Sequence, residues 1–247
     1  MQLTTIRVVD LETTGSRPPA HGVCEIGWQD VSHDGHRWQV TASRGSSLVD
    51  PARPIPAVTQ AVHHIIDADV VGAPLWADIA PQVLRAHPVM AAHRASFEQR
   101  FCTPALSGGA RWICTWKCAL RLFPGSPSFS NQVLRYWCKP AGLDRDLGLP
   151  VHRAFPDAYV TAHHLRDMLD LAGVEQLLVW SDLPGLLPRV PAGPLRGTAW
   201  AELDLETLQR WAADRDEDAR FSAQHELERR GVAPPSAPVP PQGRLFA

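Results

Sequence analysis

Residues 4–15 read TTIRVVDLETTG, and this stretch decides the fold. Its alternating side chains predict a β-strand that ends near Glu12. Successive side chains of a strand point to opposite faces, so Asp10 and Glu12 project from the same face. A Thr-Thr-Gly sequence then predicts a turn at Gly15. The strand therefore presents two carboxylates side by side where it leaves the sheet.

This pair of carboxylates has two interpretations. Two ionised carboxylates repel one another unless a cation neutralises them, and Mg²⁺ and Mn²⁺ prefer such oxygen ligands. An isolated Asp-x-Glu is more often the solvated end of a strand, because short motifs match by chance at a high rate. Other residues of the chain have to decide between the two.

The rest of the chain has the pattern of an α/β domain. Two more strand-like stretches follow near 23–31 and 36–49, joined by a turn at Asp34-Gly35. We expect helices at 55–65, 74–86, 96–102, 116–122, 131–137 and 156–171, and strands at 89–92 and 112–114. Three strands followed by alternating helices and strands predict a mixed β-sheet flanked by helices.

Proline and glycine density marks a boundary near residue 183. The chain is therefore expected to have one domain at 1–182, a linker at 183–194 and a small C-terminal helical unit at 195–231. The Pro-rich tail at 232–247 is expected to be disordered, because its composition cannot pack a core.

Two later segments bring further acids and a histidine. Residues 92–101 read AHRASFEQRF, with Glu98 opening a helix, and residues 152–161 read HRAFPDAYVT, with His152 five residues ahead of Asp157. If these segments converge on the first pair, four acids surround one pocket with an imidazole at its rim. Four uncompensated acids are costly in a cleft, and two divalent cations would offset their charge.

The segments DLETTG, AHRASFEQRF and HRAFPDAYVT resemble, in order and separation, the three motifs of the DEDDh (DnaQ-like) 3'→5' exonucleases. The stretches WICTWKCALRLFPG (112–125) and SNQVLRYW (130–137) narrow the resemblance to the branch that contains exodeoxyribonuclease X. The resemblance is strong over about 4–172 and weak over 189–220. It implies a ribonuclease H-like fold.

The resemblance also implies a catalytic role for five residues. Asp10 would bridge two metal ions, Mg²⁺ or Mn²⁺, and Glu12 and Asp157 would complete the site that activates water. Glu98 would hold the second ion, and His152 would be the general base, since its ordinary pKa lies near neutrality. The implied reaction hydrolyses the terminal phosphodiester of mainly single-stranded DNA to nucleoside 5'-monophosphates, in DNA repair or replication.

Two positions depart from the family pattern. Most members have Asp where this chain has Glu98, and Asn where it has Arg94. Glutamate keeps the charge on a side chain one methylene longer, so we expect activity to survive. Arg94 would neutralise a substrate phosphate or is a surface helix residue, and the sequence leaves both interpretations open.

Four residues are candidates for binding the substrate. The resemblance implies that Thr13, Thr14 and Gly15 meet the terminal nucleotide, although a plain strand-end turn explains them as well. Phe97 would wedge beside a base, because bases of any sequence stack on aromatic rings. Phe97 and Phe101 are four residues apart on a predicted helix, so packing in the core is the alternative for both. Core packing is the better explanation for Phe101.

Composition limits the other classes of function. A net charge of -2 argues against coating nucleic acid by bulk charge, yet residues 94–153 carry nine Lys/Arg against three Asp/Glu among several aromatics, which suits a single-stranded channel. No apolar stretch approaches the roughly 20 residues of a membrane span. Charged residues interrupt any signal-peptide core, and five scattered cysteines make no disulfide framework. We expect a cytoplasmic protein with reduced thiols.

The last residues predict a partner. Gln242, Leu245 and Phe246 belong to a QGRLF sequence that resembles the peptide by which bacterial enzymes dock on the sliding clamp. A flexible arm with two apolar anchors suits a surface groove, and tethering raises the local concentration of enzyme at DNA. A chance pentapeptide is the alternative.

Two other functions stay open at the level of sequence. One is a 3'→5' exoribonuclease of the same superfamily, because the motifs do not distinguish the two sugars. The other is a non-catalytic, DNA-associated adaptor with a decayed site.

Overall fold

A computed structural model describes residues 5–85 and 87–233 of the chain. The QGRLF sequence with Gln242, Leu245 and Phe246, and most of the Pro-rich tail, lie outside the described residues.

One five-stranded mixed sheet organises the first part of the chain. Its strands are β1 (Thr5–Thr13), β2 (Val23–His33), β3 (Trp38–Leu48), β4 (Val89–Ala92) and β5 (Arg111–Cys114). The spatial order is β3-β2-β1-β4-β5, with β1, β2 and β3 antiparallel and β4 and β5 parallel to β1. The predicted mixed sheet flanked by helices is confirmed.

A helix lies in each of the six stretches where apolar periodicity predicts one. The helices of the described residues are α1 (Ala57–His63), α2 (Trp76–Leu84), α3 (Glu98–Phe101), α4 (Pro104–Ser107), α5 (Thr115–Leu122), α6 (Asn131–Cys138), α7 (Ala154–Asp182), α8 (Leu205–Trp211) and α9 (Glu217–Arg229). Helix α4 occurs where no helix was expected. Helix α7 is longer than expected and bends at Gly173, which adopts a φ of 71°. It packs against β1, β2 and β3, and its N-terminal half is largely buried.

The core lies between the sheet and α7. Ile6 and Val8 of β1 and Leu165 of α7 are fully buried, and all four residues of β4 are buried. Burying a Leu or Ile side chain contributes roughly 1.5–3 kcal/mol. This packing makes β1 a rigid support for the acids at its end.

The chain divides into two compact units. Among the described residues, the first comprises 5–85, 87–122 and 126–182, and the second comprises 123–125 and 183–233. The second unit has its own core, in which Trp200 and Leu208 are buried. Residues 183–194, expected to be a linker, contribute the buried Val190 to this core, and the main chain of Leu187 bonds to Ser222.

The sequence predicts reduced thiols and no membrane-spanning segment. All five cysteines are free. Among the described residues, no helix has the length and apolar character needed to cross a membrane.

Candidate active site

Strand pairing fixes the first two acids. In the antiparallel pair β1–β2, Asp10 lies opposite Gly27 and Glu12 opposite Glu25, and the register shifts directly after Glu12. The regular strand therefore carries both carboxylates on one face up to the point where it becomes irregular. Glu12 is 9% exposed, so this is not the solvated end of a strand.

The N-terminal end of α7 brings the third acid to the same place. One carboxylate oxygen from each of Asp10, Glu12 and Asp157 lies within 4.8 Å of the others. This approach depends on Gly27, because a Cβ there would lie 2.2 Å from the main chain of Ala154. Any larger residue at that position would push the start of α7 away from the sheet.

Two donors hold the Asp157 carboxylate. The Nε2 of Gln132 donates to Oδ1 at 2.8 Å, and the main-chain N–H of His152 donates to Oδ2 at 2.7 Å. The side-chain amide of Asn131 donates to the Asp157 carbonyl at 3.1 Å. Asp157 is therefore fixed in both main chain and side chain.

Glu98 lies beside this triad, although it is not a member of the 4.8 Å group found among the described residues. It begins α3, is 3% exposed, and its buried Oε2 has no hydrogen-bond partner within the described part of the chain. Its negative charge raises the pKa of Asp10, and the charge of Glu12 in turn acts on Glu98. Glu98 thus interacts electrostatically with the other acids without being one of the three close carboxylates.

The pKa values of the acids record this crowding. Burial and then the charge of Asp157 raise the pKa of Asp10 well above its usual range. Burial, again followed by Asp157, raises the pKa of Glu12 to about 8. Burial raises the pKa of Glu98 to about 8 as well, with Glu12 adding to the effect. Buried acids that repel one another in this way lack a positive partner.

A divalent cation fits this set of donors. The donors are carboxylate oxygens, which are the ligands that Mg²⁺ and Mn²⁺ prefer. The orphaned Glu98 oxygen and the three close carboxylates supply more negative charge than nearby basic groups neutralise. Arg153 does lower the pKa of Glu12, but burial, Asp157 and Glu25 together outweigh it.

An ion pair that the sequence did not suggest anchors the start of α7. Arg153 donates to both oxygens of Glu25, at 2.8 and 2.9 Å, and the Ala154 N–H donates to Glu25 Oε2 at 3.0 Å. Glu25 is 4% exposed. The only sequence signal for this ion pair is that Arg153 directly follows His152 of the third motif. Its partner Glu25 is 128 residues away in the chain, so no local pattern predicts the contact.

His152 lies exposed at the edge of the cluster, five residues before Asp157. Its backbone adopts a φ of 58°, in the left-handed region that residues other than glycine rarely occupy. This conformation directs its N–H to Asp157. The exposed imidazole is therefore tied through its own main chain to an acid of the triad.

The residues expected to contact a terminal nucleotide form a tight loop. The hydroxyl of Thr13 donates to the Gly15 carbonyl at 2.8 Å, and Thr14 Oγ1 accepts from the Gly22 N–H at 3.0 Å. Both hydroxyls are thus used in fixing the loop. Gly15 has a φ of 150°, and a Cβ there would lie 2.2 Å from the His21 ring, so glycine is required.

Phe97 and Arg94 occupy the turn between β4 and α3. Phe97 is partly exposed, and its ring centroid lies 5.6 Å from that of the buried Phe101. Arg94 is in a turn with a φ of 68°, not on a helix, and its guanidinium lies 4.2 Å from the centre of the Trp116 ring. The helix alternative for Arg94 is wrong, and a cation–π contact holds its exposed side chain.

Comparisons with known proteins agree with this fold. Residues 8–165 match the exonuclease (RNase_T) family. Exodeoxyribonuclease 10 of Escherichia coli (strain K12) is 34% identical over 200 residues, which cover 80% of this chain and 84% of that protein. DNA polymerase III subunit epsilon of Treponema pallidum is 28% identical over 176 residues, covering 64% of this chain and 76% of that protein.

Solved structures give the same result. A structure of exonuclease X in complex with 5' overhanging duplex DNA superposes with a TM-score of 0.61 at 34% identity, covering 71% of this chain and 99% of that one. Escherichia coli exonuclease I in complex with single-stranded DNA superposes with a TM-score of 0.54 at 14% identity, covering 72% of this chain and 42% of that one, and supports the fold alone.

The mixed sheet with its flanking helices is a ribonuclease H-like fold. The chain belongs to the exonuclease family. It is therefore a hydrolase that binds nucleic acid, and the family uses divalent metal ions.

Proposed function

We propose that this protein is a metal-dependent 3'→5' exodeoxyribonuclease. It hydrolyses the terminal phosphodiester of DNA, mainly single-stranded, and releases nucleoside 5'-monophosphates in cytoplasmic DNA repair or replication. The observation that carries the proposal is the group of three carboxylates within 4.8 Å of one another, two at the end of β1 and one at the start of α7. The DNA substrate is favoured by the similarity to exodeoxyribonuclease 10 and to a DNA-bound exonuclease X.

The acids would hold two divalent cations, for which Mg²⁺ is the expected ion and Mn²⁺ a substitute. Asp10, Glu12 and Asp157 supply the close oxygen ligands, and Glu98 supplies the oxygen set further back. When bound, the two ions provide a hydroxide-like nucleophile and stabilise the leaving 3'-oxygen.

His152 acts as the general base. Its exposed imidazole accepts a proton from the attacking water and later returns it to solvent. The hydrogen bond from its main chain to Asp157 fixes the backbone of His152 next to the acids. A residue on the surface exchanges protons with water readily, which suits repeated turnover.

Five residues receive the 3' end of the strand. The loop of Thr13, Thr14 and Gly15, which hydrogen bonds of its hydroxyls and main chain hold rigid, forms the surface that meets the terminal nucleotide. The partly exposed Phe97 stacks on a base, and Arg94 neutralises a phosphate from its position over Trp116.

Digestion of end-labelled oligonucleotides tests this function. We expect 5'-labelled single-stranded DNA to shorten stepwise with Mg²⁺, and we expect EDTA to stop the reaction. Asp157→Asn should be inactive, whereas Asp170→Asn, the same change at an exposed position of α7, should keep wild-type activity. Faster digestion of an RNA of the same sequence would make the protein an exoribonuclease. Binding without digestion would make it an adaptor.

A clamp contact through Gln242, Leu245 and Phe246 is a separate proposal that rests on the QGRLF sequence. Removal of residues 242–247 should abolish retention on immobilised sliding clamp and leave digestion of free oligonucleotides unchanged. Equal retention of the intact and shortened proteins would contradict it.

A further inference from the structure

Two side chains of helix α6, Arg135 and Gln132, form a chain of hydrogen bonds that ends at the carboxylate of Asp157. Arg135 Nη1 donates to Gln132 Oε1 at 3.3 Å, and Gln132 Nε2 donates to Asp157 Oδ1 at 2.8 Å. Arg135 and Gln132 are three residues apart and therefore neighbours on the helix surface. Neither residue belongs to the acid motifs.

The direction of the chain is fixed by the chemistry of its ends. A guanidinium can only donate hydrogen bonds, and an ionised carboxylate can only accept them. The amide of Gln132 therefore has one satisfying orientation, with its oxygen toward Arg135 and its NH₂ toward Asp157. A side-chain amide normally has two nearly equivalent orientations, and here only one of them satisfies both neighbours.

Arg135 is itself immobile. It is 4% exposed, and it donates to the carbonyls of Gly148 at 2.7 Å and Arg145 at 2.8 Å. Gly148 leaves room for it, because a Cβ there would lie 2.9 Å from the guanidinium. Such a buried arginine is expensive unless its donors are satisfied, and here they bind main-chain carbonyls and the Gln132 oxygen.

The helix that carries the chain is also fixed at its start. Ser130 Oγ accepts from the Val133 N–H and caps α6. Asn131 donates to the main-chain carbonyl of Asp157 at 3.1 Å. Consecutive residues of α6 thus hold the backbone and the carboxylate of the same acid.

We propose that Gln132, oriented by Arg135, is a positioning residue that sets the angle of the Asp157 carboxylate for metal binding. The inference rests on the proposed function in one respect, that Asp157 is a metal ligand. Partners of this kind fix the orientation of a ligand, and their loss typically costs about 10–100-fold in metal affinity or activity.

Titration of Mn²⁺ in the absence of DNA tests the inference on the full-length protein. We expect Gln132→Leu, which keeps the size and removes the donor, to weaken Mn²⁺ binding by about 10–100-fold. The control is Gln82→Leu, the same change at an exposed position of α2, which should bind like the wild type. In activity assays at saturating Mn²⁺, Gln132→Leu should lower kcat and leave the KM for DNA unchanged, because Gln132 acts through Asp157.

Wild-type Mn²⁺ affinity in a folded Gln132→Leu protein would overturn the inference and leave the proposed function standing. A wild-type protein that binds no Mn²⁺ would overturn both. A raised KM with unchanged Mn²⁺ affinity would mean that Gln132 contacts substrate and would also overturn the inference.

A double mutant tests the part played by Arg135. Arg135→Lys keeps the charge and loses the planar fork, so alone it should weaken Mn²⁺ binding in the same direction as Gln132→Leu. In the Gln132→Leu background the same change should add less than twofold, since Arg135 acts through Gln132. Independent, additive effects would overturn the Arg135 step.

Discussion

The strand pair β1–β2 carries acidic side chains near both of its ends. Asp30 at the first end and Glu25 at the second are paired with arginines, whereas Asp10 and Glu12 at the second end are not. At the first end, Arg7 lies opposite Asp30 and donates to both of its oxygens, at 2.8 and 2.9 Å. At the other end, Asp10 and Glu12 face further acids. The same two strands thus provide an internal comparison between a paired and an unpaired acid.

The pKa values express the difference. Burial would raise the pKa of Asp30, but hydrogen bonds from Arg7 and Ser43 hold it below its usual value. Burial raises the pKa of Glu12 to about 8 with only partial relief from Arg153. A buried acid that serves the fold, such as Asp30 or Glu25, has its counter-ion within the chain, whereas Asp10 and Glu12 are not fully neutralised. We infer that the second end is built to receive a cation from outside.

The largest expected effect is that of Asp10→Asn, which removes one unneutralised charge and keeps the shape. Nuclease activity should fall to background, because the residue supplies an oxygen ligand from the centre of the cluster. In EDTA, the free energy of unfolding should rise, because the buried carboxylate and its repulsion by the other acids are both removed. Oligonucleotide digestion and urea unfolding measure the two effects. A loss of stability together with activity would contradict the prediction, because Asp10 would then stabilise the fold as Asp30 does.

The next effect is that of His152→Ala. A general base contributes roughly 10²–10⁴ in rate, so kcat should fall by that amount with Mg²⁺ saturating. The main-chain hydrogen bond to Asp157 does not involve the imidazole, so Mn²⁺ affinity should hold. A loss of less than tenfold in kcat would contradict the assignment of the base.

Asp30→Asn probes the paired end. Arg7 would then be a buried cation without its carboxylate, which typically costs about 3–5 kcal/mol. The side chains of Arg7 and Asp30 are 11% and 6% exposed, so solvent compensates little. Urea unfolding should show the loss, while kcat per folded molecule stays at the wild-type value. A drop in kcat with an unchanged free energy of unfolding would contradict the comparison, because Asp30 would then serve catalysis and not the fold.

The last prediction concerns the dependence of stability on pH. Glu12 has a pKa of about 8 in the fold against an ordinary 4.5, so between these values the folded protein binds more protons than the unfolded chain. Its contribution to the free energy of unfolding therefore falls as pH rises from about 4.5 to 8. The stability of Glu12→Gln relative to the wild type, in EDTA, should increase from pH 5 to pH 8. A constant difference would show that burial and the neighbouring acids do not raise the pKa of Glu12 in the fold.

Much of the fold follows from local patterns. The alternation in β1 predicts that Asp10 and Glu12 share a face, and the helical periodicities predict the order of elements that the structure confirms. The structure also brings Asp157 to that face, as the motif order had suggested. These features depend on neighbouring residues or on a known family pattern, and so the sequence is sufficient to predict them.

The supporting residues depend on contacts between distant segments. Glu25 meets Arg153 across 128 residues, and Gln132 meets Asp157 across 25. Such partners are set by sheet register and by the docking of α6 and α7, which a single sequence does not encode in any local signal. Arg94 shows the same limit, since its position over Trp116 depends on a left-handed turn.

Calorimetric titration of Mn²⁺ into the metal-free protein tests the central claim most directly. The account predicts saturable binding to the wild type and to Asp30→Asn, and no measurable binding to Asp10→Asn. Equal binding by Asp10→Asn and the wild type would contradict it, because the unneutralised acids of β1 would then not be the place where the cation is held.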